Sequence, residues 1–254
     1  MNPSLDTENI TQAVRMVVQA RQVVALTGAG ISVPSGIPAF RGSQGLWEKY
    51  DPGEYAHIDA FLADPGRVWG MLLELSSLID RAEPNPAHLA LAELEKLGRL
   101  RAIITQNVDN LHQAAGVKDV IEFHGNGSSL VCLDCGSRQP SRGADLSQLP
   151  PRCSCGGLLK PEVIFFGEPI PEKAFSRAVA KVQEADLMLV IGTSALVVPA
   201  SLMPGLAVRC GATVIEINQE PTGLTGNVAA LTLLGGAELI LPALVKGVRL
   251  ALEA

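Results

Sequence analysis

The sequence predicts an α/β fold: a Rossmann-like parallel sheet with helices on both faces, carrying a smaller inserted module. Three observations lead there. Short apolar runs alternate with helical patterns along the chain. Several runs are apolar at every position, as strands covered on both faces are. Their carboxyl ends carry glycines or polar residues, where open α/β sheets bind ligands. The expected strands are 23–27, 101–105, 120–123, 163–166, 187–191, 213–217 and 231–234. The expected helices are 8–20, 66–80, 86–97, 108–115, 172–183, 199–209 and 237–252. The third has clear end signals: Asn85 caps it, Pro86 suits its first turn and Gly98 can take the left-handed stop conformation.

The first strand runs into "TGAGISVPSG". Gly28 and Gly30 follow it as a phosphate-binding turn follows a strand, but a dehydrogenase fingerprint needs a third glycine where Val33 stands. Pro34 comes next and is expected to turn the chain from a helix into a loop. Later strands end in polar groups too. "ITQNVDN" places Thr105, Gln106, Asn107 and Asp109 at a strand end, "EFHGN" adds His124, "IGTS" adds Gly192, Thr193 and Ser194, and "INQE" adds Asn218, Gln219 and Glu220. Of the four histidines, His124 alone falls at a strand's carboxyl end; His88 and His112 lie in helical patterns and His57 in an interrupting segment. Together these ends predict an extended nucleotide site.

Two segments break the α/β rhythm, 43–80 and 127–157. The second holds Cys132-x2-Cys135 and Cys153-x-Cys155, four thiolates that satisfy a closed tetrahedral structural zinc site. Cys210 stands apart and is expected in the core.

With 254 residues, 47% hydrophobic and 18% charged, the chain can bury a substantial core. A net charge of −6 gives no basic footprint, which excludes a sequence-specific nucleic-acid reader. Neither a signal peptide nor an apolar run of the ~20 residues that cross a bilayer is visible, so no membrane association and a cytoplasmic location are expected.

The motifs "GAGISVPSGIPAFRG", "TQNVDNLHQAAG", "EFHGN", the cysteine pairs, "KPEVIFFGE", "GTSALVVPA" and "INQE" resemble, in order, those of the sirtuins, NAD-dependent protein deacylases of bacterial or archaeal type. The resemblance implies a large NAD-binding domain from 1–42, 81–126 and 158–254, a cofactor loop and helical module at 43–80, and a zinc-binding module at 127–157. It implies NAD as a consumed cosubstrate, one structural zinc on Cys132, Cys135, Cys153 and Cys155, and acyl-lysine-bearing proteins or peptides as partners.

By matching position, Gly28, Ala29, Gly30 and Ser32 would hold the pyrophosphate region. Ile31, Ile37, Asn107 and Asp109 would shape the nicotinamide pocket, with Pro38, Phe40, Arg41 and Trp47 on or beside the cofactor loop. Gln106 and His124 would face the ribose hydroxyls, with Val108 also among the cofactor-binding residues, and His124, with Asn107 and Gln106, would be catalytic. Gly192, Thr193, Ser194, Asn218, Gln219, Glu220 and Ala237 would line the adenosine end. Val163, Ile164, Phe165, Phe166 and Gly167 would meet the peptide as an added strand. The implied reaction breaks the nicotinamide–ribose bond and passes the acyl group from lysine to ADP-ribose.

Family members that prefer succinyl or malonyl lysine carry a Tyr-x-x-Arg pair here occupied by Leu72 and Leu75, so an acidic acyl group would meet no buried cation. Acetyl-lysine is the expected substrate, with longer apolar chains admissible. A mono-ADP-ribosyltransferase is the nearest rival; an NAD-linked oxidoreductase is disfavoured by Val33 and Pro34, and a non-enzymatic zinc module would leave His124 without purpose.

Overall fold

The computed structural model describes residues 6–41 and 45–253. The chain runs α1 (Thr7–Gln19), β1 (Val23–Thr27), α2 (Leu46–Lys49), α3 (Pro52–Tyr55), α4 (Ile58–Ala63), α5 (Pro65–Ile79), α6 (Pro86–Lys96) and β2 (Leu100–Thr105). It continues with α7 (Leu111–Ala114), β3 (Val120–Glu122), β4 (Gly125–Cys132), β5 (Arg138–Pro140), β6 (Leu159–Val163), α8 (Glu172–Glu184) and β7 (Leu187–Ile191). It closes with α9 (Met203–Arg209), β8 (Thr213–Asn218), β9 (Leu231–Leu234) and α10 (Ala237–Glu253).

Six strands form one sheet in the order β3-β2-β1-β7-β8-β9, parallel throughout. The uninterrupted apolar runs are explained by this sheet. Alternate residues face opposite sides, and each side meets helices. Val23, Ala25, Leu189 and Ile215 pack with α1, α6 and α10, whereas Val24, Leu26, Val190 and Val214 pack with α8 and α9. Chain order reverses across β1 and β7, so the loops that leave these two strands open a crevice between them.

The interrupting segments meet in a third core. Phe61, Val68, Trp69 and Met71 of the helical segment pack on Leu130, Cys132, Cys153, Leu159 and Phe165. The Trp69 indole N–H donates to the Leu159 carbonyl at 3.0 Å. A small antiparallel sheet, β5-β4-β6, carries the cysteines and extends beyond 127–157 at both ends.

Four expectations require correction. Residues 29–35 form a 3-10 helix that contains Pro34 and stops at Gly36 (φ 88°), where a loop was expected; the Ile31 carbonyl, which a residue-34 N–H would otherwise meet, accepts from Asn85 Nδ2 instead. The strand expected at 163–166 is shifted to β6, because the Ile164, Phe165 and Phe166 amides donate singly to His124 O, Glu168 Oε2 and Ala56 O. The helix expected from 108 starts at Leu111: Asn110 is left-handed (φ 62°) and an Asp109 carboxylate oxygen caps the Leu111 N–H at 3.0 Å. Cys210, expected in the core, is exposed at the end of α9.

Gly247 lets α10 approach α1, since a Cβ there would lie 2.6 Å from Val14 Cγ2. Alanine gains about 1 kcal/mol of helix propensity over glycine, but forcing a methyl into a packed contact costs about 1–3 kcal/mol. Gly247→Ala is therefore expected to lower the melting temperature, measured by calorimetry, rather than raise it.

Candidate active site

The strand-end loops enclose a cavity of about 720 Å³. Two of them touch by backbone at its floor. The Gly30 N–H donates to Gly192 O at 2.8 Å and the Gly28 N–H to Ile191 O at 3.0 Å. A Cβ on Gly30 would stand 2.8 Å from Gly192 Cα, and one on Gly28 2.7 Å from Thr193 Cβ. Gly192 itself has φ 58°, and a Cβ there would fall 2.5 Å from the Ile31 nitrogen. These glycines are thus required first by loop-on-loop packing, a pressure separate from ligand approach.

Most of the expected residues are on the cavity wall. From the first loop and its continuation come Gly28, Ala29, Gly30, Pro38, Phe40, Arg41 and Trp47; from the end of β2, Gln106, Asn107 and Val108; beyond β3, His124. Gly192, Thr193, Ser194, Asn218, Gln219, Glu220 and Ala237 close one end, and Val163, Ile164, Phe165, Phe166 and Gly167 the other. Leu72 and Leu75, one face of α5, join Met71 on the apolar wall.

Four expected residues, Ile31, Ser32, Ile37 and Asp109, are buried and lie outside this lining. Ser32 is the hub of this layer. Its hydroxyl donates to Asp109 Oδ2 at 2.7 Å and accepts from Asn107 Nδ2 at 3.1 Å. Asn107 Nδ2 also reaches Gly28 O at 3.1 Å, so Asn107 ties the wall to the buried layer. His88 Nε2 is 3.5 Å from Ser32 Oγ, and His112 Nε2 is 2.9 Å from Thr27 Oγ1. Sequence reading missed this involvement of His88 and His112. Helical periodicity marks them as core residues but gives no sign of which polar groups face them.

Asn85 is another such case. It caps α6 and also donates through Nδ2 to Ile31 O at 2.8 Å and Ser35 Oγ at 2.9 Å, pinning the 3-10 segment. Glu168 was likewise missed, although it ends the "FFGE" motif; its Oε2 accepts from the Phe165 N–H and from the buried Lys160 ammonium.

His124 has its Nδ1 3.2 Å from the Gln106 carbonyl oxygen. A carbonyl can only accept, so Nδ1 carries the proton and Nε2 keeps the lone pair. Burial pushes the His124 pKa below 6.5, opposed by that hydrogen bond. The imidazole is therefore neutral at pH 7 with a basic nitrogen available. Gln106 Nε2 donates to Thr193 Oγ1 at 3.1 Å, joining the β2 and β7 ends.

The four expected cysteine sulfurs lie within 4.8 Å of one another. Cys132 and Cys155 are 3.6 Å apart and Cys135 and Cys153 3.8 Å. Tetrahedral zinc with Zn–S bonds of about 2.3 Å sets sulfur–sulfur edges of roughly 3.8 Å, so the cluster fits one zinc. The Ser137 hydroxyl, 3.1 Å from Cys135 Sγ and 3.2 Å from Cys153 Sγ, supplies an outer hydrogen bond. Among the described residues, no helix is long and apolar enough to cross a membrane.

The arrangement defines a nucleotide-binding α/β protein with a half-buried base on the cavity wall and a four-thiolate metal module. Residues 28–199 match the family model described as the Sir2 family. An NAD-dependent protein deacylase of Pyrococcus furiosus is 46% identical over 241 residues, covering 92% of this chain and 96% of its own. A Sir2 homolog–NAD complex superposes with TM-score 0.89 at 42% identity, covering 95% of this chain and 94% of that one. Sir2Af2 bound to a myristoylated histone peptide gives 0.82 at 35%, covering 97% and 99%. This chain belongs to the Sir2 family.

Two predictions arise from the buried groups. Burial lowers the His88 pKa to about 4 and the His112 pKa to about 3. The unfolded chain takes up these protons near 6.5, so stability is full above that pH and is lost on acidification. The loss reaches up to about 1.4 kcal/mol per pH unit for each histidine. Melting temperature measured from pH 7 to 5, above most carboxylate titration, should fall steadily; a flat profile contradicts the buried neutral pair. The second concerns metal: purified protein should contain one zinc per chain by elemental analysis. A strong chelator, or Cys153→Ser, should lower stability and expose the third core, without removing any catalytic group.

Proposed function

We propose that this protein is an NAD-dependent lysine deacylase, which cleaves the nicotinamide–ribose bond and passes the acyl group from lysine to ADP-ribose. The observation that carries this reading is His124. Its basic Nε2 belongs to the same cavity as the glycine loop, the amides of β2 and the apolar face of α5.

Bound NAD supplies a ribose carbon that becomes electrophilic as nicotinamide departs. The protein's part is placement and proton transfer. Gly28, Ala29 and Gly30 would hold the pyrophosphate region, with Ser32 behind them bracing Asn107 and Asp109 and with Gly192, Thr193, Ser194, Asn218, Gln219, Glu220 and Ala237 at the adenosine end. Asn107 would orient the nicotinamide carboxamide, beside Ile31 and Ile37. Asp109 stands behind it: each of its oxygens accepts one hydrogen bond, from Leu111 N and Ser32 Oγ, and retains a lone pair for an amide N–H. His124 Nε2 takes a proton from a ribose hydroxyl, while Nδ1–H stays on Gln106 O. Pro38, Phe40, Arg41, Trp47 and Val108 shield this end from water.

The acyl-lysine would enter between residues 163–167 and α5. Because the Ile164, Phe165 and Phe166 amides are bonded within the protein, an added peptide strand would pair chiefly at Gly167. Leu72, Leu75 and Met71 offer the acyl group an apolar wall without a cation, which favours acetyl and longer apolar chains over succinyl or malonyl. A reducing cytoplasm suits the four zinc-binding thiolates.

His124→Ala should lower kcat/KM on acetyl-lysine peptide by about 10²–10⁴-fold. In the wild type the acid limb of kcat/KM should fall below pH 6.5, because the base must be neutral and burial lowers its pKa. Near wild-type turnover by the variant would falsify the assignment. On a peptide panel, deacetylation should exceed desuccinylation, and mass spectrometry should record loss of acyl. Gain of ADP-ribose on the peptide would instead favour the transferase reading.

A further inference from the structure

Glu216 is a buried carboxylate that the chemistry above does not use. It lies on β8 opposite Val190 of β7 and Thr232 of β9, with 1% of its surface exposed. Among the described residues no cationic side chain pairs with it. Three threonine hydroxyls donate to it instead. Thr222 reaches Oε1 at 2.5 Å, and Thr225 and Thr232 reach Oε2 at 2.6 and 3.2 Å.

Thr232 is on the neighbouring strand, but Thr222 and Thr225 belong to the loop that joins β8 to β9. Their oxygens also accept from that loop's backbone: Leu224 N–H donates to Thr222 Oγ1 at 3.1 Å and Thr222 N–H to Thr225 Oγ1 at 3.0 Å. A hydroxyl has one proton. Spending it on Glu216 turns the oxygen lone pairs toward the backbone amides, so the carboxylate dictates the path of the loop. The loop's beginning, Gln219 to Thr222, is cavity wall at the adenosine end. Leu224, buried beneath the loop, could hold it down without desolvating a charge. What the carboxylate adds is direction, at the cost of burying an ion.

We propose that Glu216 is a positioning residue for the adenosine end of the cleft, holding residues 219–222 in place through Thr222 and Thr225. The inference rests on the NAD reading given above. Its test pairs Thr225→Val with Thr225→Ser in the full chain, because Thr225 lies outside the cavity lining and acts on a ligand only through the loop. Glu216→Gln is the companion variant, since its amide must direct a donor at a hydroxyl. ADP-ribose affinity is measured by calorimetry, and initial rates are measured against NAD and acetyl-peptide.

Thr225→Val should weaken ADP-ribose binding and raise KM for NAD about five- to tenfold, a part of the energy of the lost hydrogen bond to a charged group, because Thr222 still ties the loop to Glu216. The peptide KM, and kcat at saturating NAD, should stay within about twofold of wild type, marking a loss confined to ground-state binding. Thr225→Ser should restore wild-type values, and Glu216→Gln should reproduce the same split. Thr225→Val that melts earlier yet binds ADP-ribose like wild type, or that loses kcat and both KM values together, overturns the proposal. A wild type that fails to bind ADP-ribose overturns the NAD reading itself.

Discussion

The backbone contact between the Gly28–Gly30 turn and Gly192 is the constraint on which the rest of the site depends. It sits where chain order reverses, so two loops that leave neighbouring parallel strands must share one small space. Side chains there would collide with main chain at 2.5–2.8 Å. Once the loops touch, the ends of β2 and β8 are set beside them by strand register. Thr27 pairs with Thr105 on one side and with Ile191 on the other. Gln106 and Asn107 then reach across to Thr193 and Gly28. The cleft is a consequence of sheet order before any ligand is considered.

Behind the wall lies a polar layer that an all-apolar core would not need. Thr27, Ser32, His88, Thr105, Asp109 and His112 are all less than 9% exposed. Burying such groups is costly unless each is bonded; Ser32 meets the demand by linking Asn107 and Asp109 through one hydroxyl, whereas His112 Nδ1 is left without a partner among the described residues. The same logic operates at Glu216, where three hydroxyls replace a counter-ion.

The two excursions from the sheet serve the cleft differently. The helical segment brings an apolar face, Met71, Leu72 and Leu75, to its far wall. The cysteine module supplies no cavity residue; it fixes β4 and β6, and with them the start of the 163–167 segment. Their common core around Trp69 and Leu159 couples the apolar face of α5 to the 163–167 segment.

Much of this was legible in the chain. The apolar runs define the strands because a doubly covered strand needs no polar face. The four cysteines define a metal site because clustered thiolates in that spacing have few other uses, and the motif order carries the family resemblance. Legibility failed where a residue's role depends on partners distant in sequence. Nothing local tells that Ser32 meets Asn107 and Asp109, that His88 faces Ser32 across 56 residues, or that three hydroxyls meet Glu216 in place of a counter-ion. It failed too at 163–166, where apolar, β-prone residues leave the strand because their amides find single partners in three different elements. The sequence by itself determined the strands of the parallel sheet, the thiolate ligands and the site candidates, since these follow from local pattern and side-chain chemistry. Only the tertiary structure decided which candidates face the cavity and which stand behind it, because that depends on long-range hydrogen bonds.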